Sequence, residues 1–105
     1  MNLEQRIEAF AKLGDFFKQF KNKKIERTID SEFNNLFFEA FKIQINRAQE
    51  FNGWFTKENV LNSFESWSEA LTAENLNKWT SIYSFENNLA PKKVAIIMAG
   101  NIPLV

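Results

Sequence analysis

The stretch Lys93-Val-Ala-Ile-Ile-Met-Ala-Gly-Asn-Ile-Pro-Leu-Val105 decides how the rest of the chain is interpreted. Its first half is a continuous apolar run rich in β-branched residues, and it breaks at Gly100-Asn-Ile-Pro103. A short apolar run bounded by a glycine is typical of a strand that is buried on both faces, as in a parallel sheet covered by helices. The sequence therefore predicts a strand near 93–98.

The sequence before this stretch has helical periodicity and offers the predicted strand no second strand to pair with. We therefore expect a mainly α chain, with about four amphipathic helices followed by one C-terminal β-strand that joins an α/β sheet in a longer parent protein. In this interpretation 1–91 form a helical amino-terminal region. Residues 92–105 form the first strand and loop of a truncated cofactor-binding domain.

Apolar residues recur every three or four positions in four segments, which predicts helices near 2–21, 31–52, 57–70 and 73–84. Gly14 lies among the apolar positions of the first helix, where a close helix crossing explains it better than a hinge. The second helix has the widest apolar face, so we expect it to be the central one. Its two apolar rows are Phe33, Phe37, Phe41, Ile45, Ala48 and Phe51, with Leu36, Ala40 and Ile43 beside them.

Composition excludes several classes of chemistry. The chain of 105 residues contains neither cysteine nor histidine, which removes disulfides, thiolate nucleophiles, the commonest metal ligand and the usual general base at neutral pH. Thirteen basic residues balance thirteen acidic ones, so no overall field attracts nucleic acid. We expect no metal site and no nucleic-acid partner.

The first residues lack the basic start and the apolar block that are typical of a secretory signal. No apolar run approaches the ~20 residues that a bilayer-spanning helix needs. We expect a cytoplasmic protein without a membrane span.

Two local features have both a functional and a structural interpretation. The basic cluster Lys21–Arg27 could contact phosphate, but it contains Glu26 and no aromatic residue, so a solvated helix end or linker is favoured. Trp54, Trp67 and Trp79 could stack on a ligand, but their helical spacing among apolar residues favours core packing.

The candidate site follows the predicted strand at Gly100-Asn101. In open α/β sheets, ligands bind beyond the carboxyl ends of the strands. The side-chain amide of Asn101 could donate a hydrogen bond to a developing oxyanion there. The alternative is an asparagine that satisfies backbone groups in a turn, and the residues alone favour this alternative.

Three motifs in the second half of the chain occur together. They are Trp54-Phe-Thr-x-Glu-Asn-Val60, then Leu71-Thr-x-Glu-Asn-Leu76 with Trp79 and Tyr83, and finally Pro91-Lys-x-Val-x-Ile-Ile-Met-Ala-Gly-Asn-Ile-Pro-Leu-Val105. Together they resemble the amino-terminal region of acyl-CoA reductases of the LuxC type. The resemblance is strongest over 54–105 and weak over 1–50.

The resemblance implies an enzyme of the aldehyde dehydrogenase superfamily that reduces fatty acyl-CoA to fatty aldehyde with NADPH. By that resemblance, Asn101 is the candidate catalytic oxyanion donor, and the candidate cofactor-side backbone is that of Met98, Ala99, Gly100 and Ile102. The superfamily's nucleophile is a cysteine much further along the chain. We therefore expect this segment to be inactive alone, to bind no NADPH by itself, and to have the remainder of the parent chain as its partner.

Two other classes of function remain open. The first is a small self-contained helical module for protein interaction, or for self-association through the apolar C-terminal strand. The second is lipid or acyl-chain binding by the phenylalanine-rich helices.

Overall fold

The computed structural model describes residues 1–85 and 90–100. Within these residues the chain forms four helices: α1 (Leu3–Phe17), α2 (Glu32–Phe51), α3 (Lys57–Ala70) and α4 (Ala73–Thr80). The mainly helical fold is thus confirmed. Helix α3 packs against both α1 and α2, and α1 also packs against α4. Helices α1 and α3 thus each pack against two others, whereas α2 packs chiefly against α3, so the prediction that the second helix is central is wrong.

Side-chain caps fix the starts of the helices, which lie within one residue of their predicted positions. Asn2 accepts a hydrogen bond from the Gln5 backbone N–H at 2.8 Å, and the Gln5 side chain accepts one from the Asn2 N–H at 3.0 Å. This reciprocal pair is a capping box, which satisfies two N–H groups that the first turn leaves unpaired. Ser31 caps α2 through a 3.2 Å bond from the Asn34 N–H.

The two similar segments at the starts of α3 and α4 have the same structural role. Thr56 accepts a hydrogen bond from the Asn59 N–H at 3.2 Å, and Thr72 accepts one from the Asn75 N–H at 3.1 Å. Both asparagine side chains also donate backwards at 3.0 Å, to the carbonyls of Trp54 and Glu69 respectively. Each threonine therefore caps its helix, and each asparagine hydrogen-bonds the first turn to the preceding residues.

Helix α1 ends at Phe17 instead of near 21, and the reason is the side chain of Gln19. Its carbonyl oxygen accepts hydrogen bonds from the backbone N–H groups of Thr28 and Ile29, at 3.1 and 3.3 Å. Its amide donates to the Phe16 carbonyl at 3.1 Å and to Asn34 Oδ1 at 2.7 Å. These bonds require the chain to turn after α1 and to return along it.

The basic cluster forms the tip of that turn. Phe20 and Ile25 make an isolated antiparallel bridge, and Lys21 and Lys24 exchange backbone hydrogen bonds of 3.3 and 3.2 Å. Lys24 also pairs with Glu26 at 2.8 Å, with both side chains largely exposed. The interpretation of this cluster as a solvated connection is confirmed, although it is a short hairpin and not a helix end.

The burial of Asn34 determines which side of α2 faces the core, and this side differs from the predicted one. Asn34 is 2% exposed, and its amide donates to the Ile29 carbonyl at 2.6 Å while its oxygen accepts from Gln19. The side of α2 that faces the core consequently includes Asn34, Phe38, Phe41, Ile45 and Ala48. The prediction that Phe33, Phe37 and Phe51 are buried is wrong, since they are 76%, 52% and 76% exposed.

The core is a cluster of phenylalanine rings at the junction of α1, α2 and α3. Phe41 is its hub, with ring centroids 5.2 Å from Phe16, 5.0 Å from Phe20 and 5.1 Å from Phe64. Phe17 stacks on Phe64 at 4.9 Å. Tilted and edge-on contacts of this kind contribute about 0.5–1.5 kcal/mol per pair beyond the burial of apolar area.

Helix α4 ends at Thr80, four residues before its predicted end. The Thr80 hydroxyl donates to the Leu76 carbonyl at 2.7 Å, and the Ser81 hydroxyl donates to the Lys78 carbonyl at 2.8 Å. Such side-chain bonds compete with the helical backbone bonds of the next turn. The chain then turns, with the Tyr83 N–H donating to the Thr80 carbonyl at 3.0 Å.

Gly14 marks the closest approach between helices. A Cβ atom at this position would lie 2.3 Å from the Leu71 carbonyl oxygen and 2.9 Å from the Leu71 Cβ. The close crossing predicted from the sequence is confirmed: α1 passes directly over the corner between α3 and α4.

We expect Gly14→Ala to lower the free energy of unfolding by about 1–3 kcal/mol, because its methyl group overlaps a backbone oxygen that cannot rotate away. Urea unfolding followed by circular dichroism measures the change. Gly53→Ala is the matched control, since no atom lies within 4 Å of its added Cβ. Equal stability of the two variants would contradict the close approach.

We expect Gln19→Met to cost about 1–3 kcal/mol of unfolding free energy, because it keeps the volume but leaves the Thr28 and Ile29 N–H groups without an acceptor. The same unfolding experiment on Gln49→Met, at an exposed position of α2, gives the baseline for this substitution. A difference below about 0.5 kcal/mol would mean that the buried amide contributes little.

Candidate functional site

The C-terminal segment carries the predicted site residues. Residues 90–99 adopt neither helix nor strand, and a turn begins at Gly100. The apolar side chains of this segment are exposed: Val94 by 80%, Ile96 by 78%, Ile97 by 100% and Met98 by 55%. The strand predicted at 93–98 is not formed here. A strand requires a hydrogen-bonded neighbour, and residues 1–85 provide no strand to pair with it.

Met98, Ala99 and Gly100 are exposed and lie together at the end of this segment. No atom comes within 4 Å of the position that a Cβ at Gly100 would occupy, so the backbone is open to a ligand on that side. Asn101 and Ile102, the other two candidate site residues, lie outside the described part of the chain.

Asn52 joins this segment to the helical body. Its side-chain oxygen accepts a hydrogen bond from the Trp54 N–H at 3.0 Å, and its side-chain amide donates to the Gly100 carbonyl at 2.5 Å. Its backbone carbonyl also accepts from the Phe55 N–H at 2.9 Å. The candidate site residues therefore begin beside the carboxyl end of α2.

The sequence analysis placed Asn52 only at the end of the second helix and missed this contact. A signal was present, because asparagine commonly accepts a hydrogen bond from the backbone two residues ahead and thereby leaves its amide free to donate elsewhere. The acceptor at Gly100 is 48 positions away along the chain. No local pattern identifies it.

A groove of about 650 Å³ lies between α1 and the segment that enters α2. Its apolar part includes Phe16, Ile29 and Phe33, and lysines lie along its edge. Those lysines are already paired: Lys18 contacts Asp15 at 2.7 Å, and Lys12 contacts Glu8 at 2.7 Å. The groove therefore has little unbalanced positive charge for an anionic ligand.

The pair between Lys12 and Glu8 is an ordinary surface ion pair. The hydrogen bond from Lys12, together with its positive charge, holds the pKa of the Glu8 carboxyl below its usual value. Both side chains are largely exposed and lie one helical turn apart. A lowered pKa keeps Glu8 ionised at neutral pH, so it is a poor candidate for a general acid.

The tryptophans do not form the predicted core. Trp54 is 67% exposed and Trp79 is 64% exposed, so the prediction of core packing is wrong for both. Trp67 and Trp79 line a shallow cleft of about 420 Å³ at the corner between α3 and α4, together with Leu71 and Leu76. These rings stay outside because the phenylalanines of α1, α2 and α3 already fill the interior.

The part of the chain that the structure describes contains no group of three or more carboxylates placed to hold a metal ion. None of its helices is both long and apolar enough to cross a membrane.

Comparison with family models, with curated proteins and with solved structures gives no match to this chain.

We expect Asn52→Ala to release the segment that ends at Gly100, because the substitution removes the side-chain donor to its carbonyl. Lower backbone order parameters at residues 98–100, measured by NMR relaxation, are the expected result. Asn46→Ala, at an exposed position of α2, is the control. Unchanged order parameters in Asn52→Ala would show that this hydrogen bond does not hold the segment.

Proposed function

We propose that this chain is the amino-terminal helical region of an NADPH-dependent acyl-CoA reductase, which converts fatty acyl-CoA to fatty aldehyde in the cytoplasm. The observation that carries the proposal is the exposed apolar run Val94–Met98, which leads directly into Gly100 and Asn101. Exposing four such side chains in sequence is costly in water unless another surface covers them. A neighbouring strand in the parent protein supplies that cover.

The proposed fold of the complete enzyme pairs residues 93–98 as the first strand of a cofactor-binding sheet. Strand pairing would satisfy the backbone groups of this segment and bury Val94, Ile96 and Ile97 between helices. The four helices would then form a layer beside the sheet, tied to it through Asn52 and Gly100. Residues 1–91 and 92–105 would thereby belong to two different structural units.

The residues of this chain have two proposed tasks in the reaction. Asn101 donates its side-chain amide to the oxygen of the acyl group as negative charge develops there, which lowers the barrier to its reduction. The backbone of Met98, Ala99, Gly100 and Ile102 would hold the cofactor, and no atom lies within 4 Å of the Cβ position at Gly100 to obstruct it. Bound NADPH supplies the hydride.

The test uses the complete reading frame that contains residues 1–105, purified and assayed for NADPH oxidation with a fatty acyl-CoA. We expect Asn101→Ala to reduce kcat by about 10²–10³, with little change in the KM for NADPH, because the lost hydrogen bond acts mainly in the transition state. Asn46→Ala, remote from the site on α2, is the control and should retain full activity.

Two results would contradict the proposal. One is a reading frame that encodes no cysteine nucleophile after residue 105. The other is an active reductase in which Asn101→Ala has the kcat of the unsubstituted enzyme.

The second candidate function is a self-contained helical module for protein interaction or self-association. It is favoured by the same exposed C-terminal segment, because an apolar run with unpaired backbone groups can pair with a second copy. In that case Ile97→Glu, at a fully exposed position, would abolish the association detected by sedimentation. An active reductase that does not associate through this segment would exclude this candidate.

A further inference from the structure

Helix α2 has a second apolar surface, which points away from the core. We call it the outer face of α2. Its largest apolar residues are Phe33 and Phe51, each 76% exposed, and Leu36, Ile43 and Phe37, which are 66%, 54% and 52% exposed. Because an α-helix advances 100° per residue, this face lies roughly 100° around the helix from the side that contains Asn34 and Ile45. More than half of the surface of each of these five residues is exposed in the described part of the chain.

The residues along the middle of this face are arranged symmetrically about position 42. Phe33 and Phe51 lie nine residues on either side of it, Phe37 and Arg47 lie five, and Ala40 and Gln44 lie two. All six are exposed. Two such helices in antiparallel contact about position 42 would bring the members of each pair to the same level along the contact. Phe33 and Phe51 also lie on the same side of the helix, since 18 residues make five whole turns.

We propose that the chain forms a twofold homodimer in which the outer faces of two α2 helices pack antiparallel, with the twofold axis level with position 42. Phe33 then faces Phe51 of the partner subunit at each end of the contact, about 27 Å from Phe51 of its own helix. Near the axis, the small side chain of Ala40 faces Gln44 of the partner subunit, which allows the two backbones to approach closely.

The charge in this surface also fits a second copy. The Arg47 guanidinium already lies over its own Phe51 ring, 5.4 Å from the ring centroid, and its Nε donates to Glu50 at 3.0 Å. Position 47 lies about 80° around the helix from position 37, so in the dimer the guanidinium stays at one edge of the contact, over its own Phe51 ring and beside Glu50. No charge is then buried without a partner.

The area of the face matches that of a stable dimer. If a phenylalanine ring buries about 200 Å² and an aliphatic side chain somewhat less, the five apolar side chains expose on the order of 600 Å² in total. Complete burial of this area in both copies would remove about 1,200 Å² from water, which is the lower end of specific interfaces. An isologous contact uses the same patch on both copies, and the two exposed rings of Phe33 and Phe51, on one side of the helix, meet that condition. This dimer does not depend on the proposed function.

The experiment is sedimentation equilibrium of the full 105-residue chain and of four variants over a range of concentrations. We expect a reversible dimer for the unsubstituted chain, and at least tenfold weaker dimerisation for Phe33→Glu and for Phe51→Lys separately. Both positions are mostly exposed, so folding measured by circular dichroism should be unchanged. The double variant F33E/F51K should recover dimerisation, because each glutamate then faces a lysine of the other copy.

The control is Ile97→Glu, which tests the exposed C-terminal segment and should leave this dimer intact. A chain that remains monomeric at all concentrations would overturn the proposal. So would association that is lost in Ile97→Glu but retained in Phe33→Glu, because it would place the contact in the C-terminal segment. A double variant that associates no better than the single ones would overturn the antiparallel arrangement.

Discussion

The hydrogen bond between the side chains of Gln19 and Asn34 constrains the rest of the fold. Both amides are 2% exposed, and at such burial an unpaired donor or acceptor would cost about 1–3 kcal/mol. Their remaining groups bond to the backbone of residues 16, 28 and 29. This network ends α1, closes the hairpin and sets the rotation of α2. No buried side-chain nitrogen or oxygen is left unpaired in the described residues.

The same network accounts for the uneven distribution of apolar residues. By turning Asn34 inward, it brings Phe38 and Phe41 onto Phe20 and Phe64, which concentrates the aromatic core at one end of α1. The cost is that Phe33, Phe37 and Phe51 face outward. The exposure of these apolar residues of α2 is therefore a consequence of the hydrogen bonds that bury Asn34.

Local features of the fold were predictable from the sequence, and features that depend on distant contacts were not. The helix starts were correct because Asn2, Ser31, Thr56 and Thr72 act on residues within one turn. The ends of α1 and α4 were wrong because they depend on side-chain hydrogen bonds that compete with the helix. The buried face of α2 was half right, with Phe41, Ile45 and Ala48 toward the core but Phe33, Phe37 and Phe51 exposed, because periodicity treats Asn34 as a surface residue. At the candidate site, nothing in the sequence around Gly100 indicates that its carbonyl accepts a hydrogen bond from Asn52.

The crossing at Gly14 also has a consequence for how the chain is made. The first helix is synthesised early, but the backbone carbonyl on which it rests belongs to Leu71, 57 positions later. During translation α1 cannot dock on the corner between α3 and α4 until that corner has left the ribosome. Until then the rings of Phe16 and Phe17 lack the partners that α2 and α3 supply, so the nascent chain passes through a period in which its most apolar helix is unprotected.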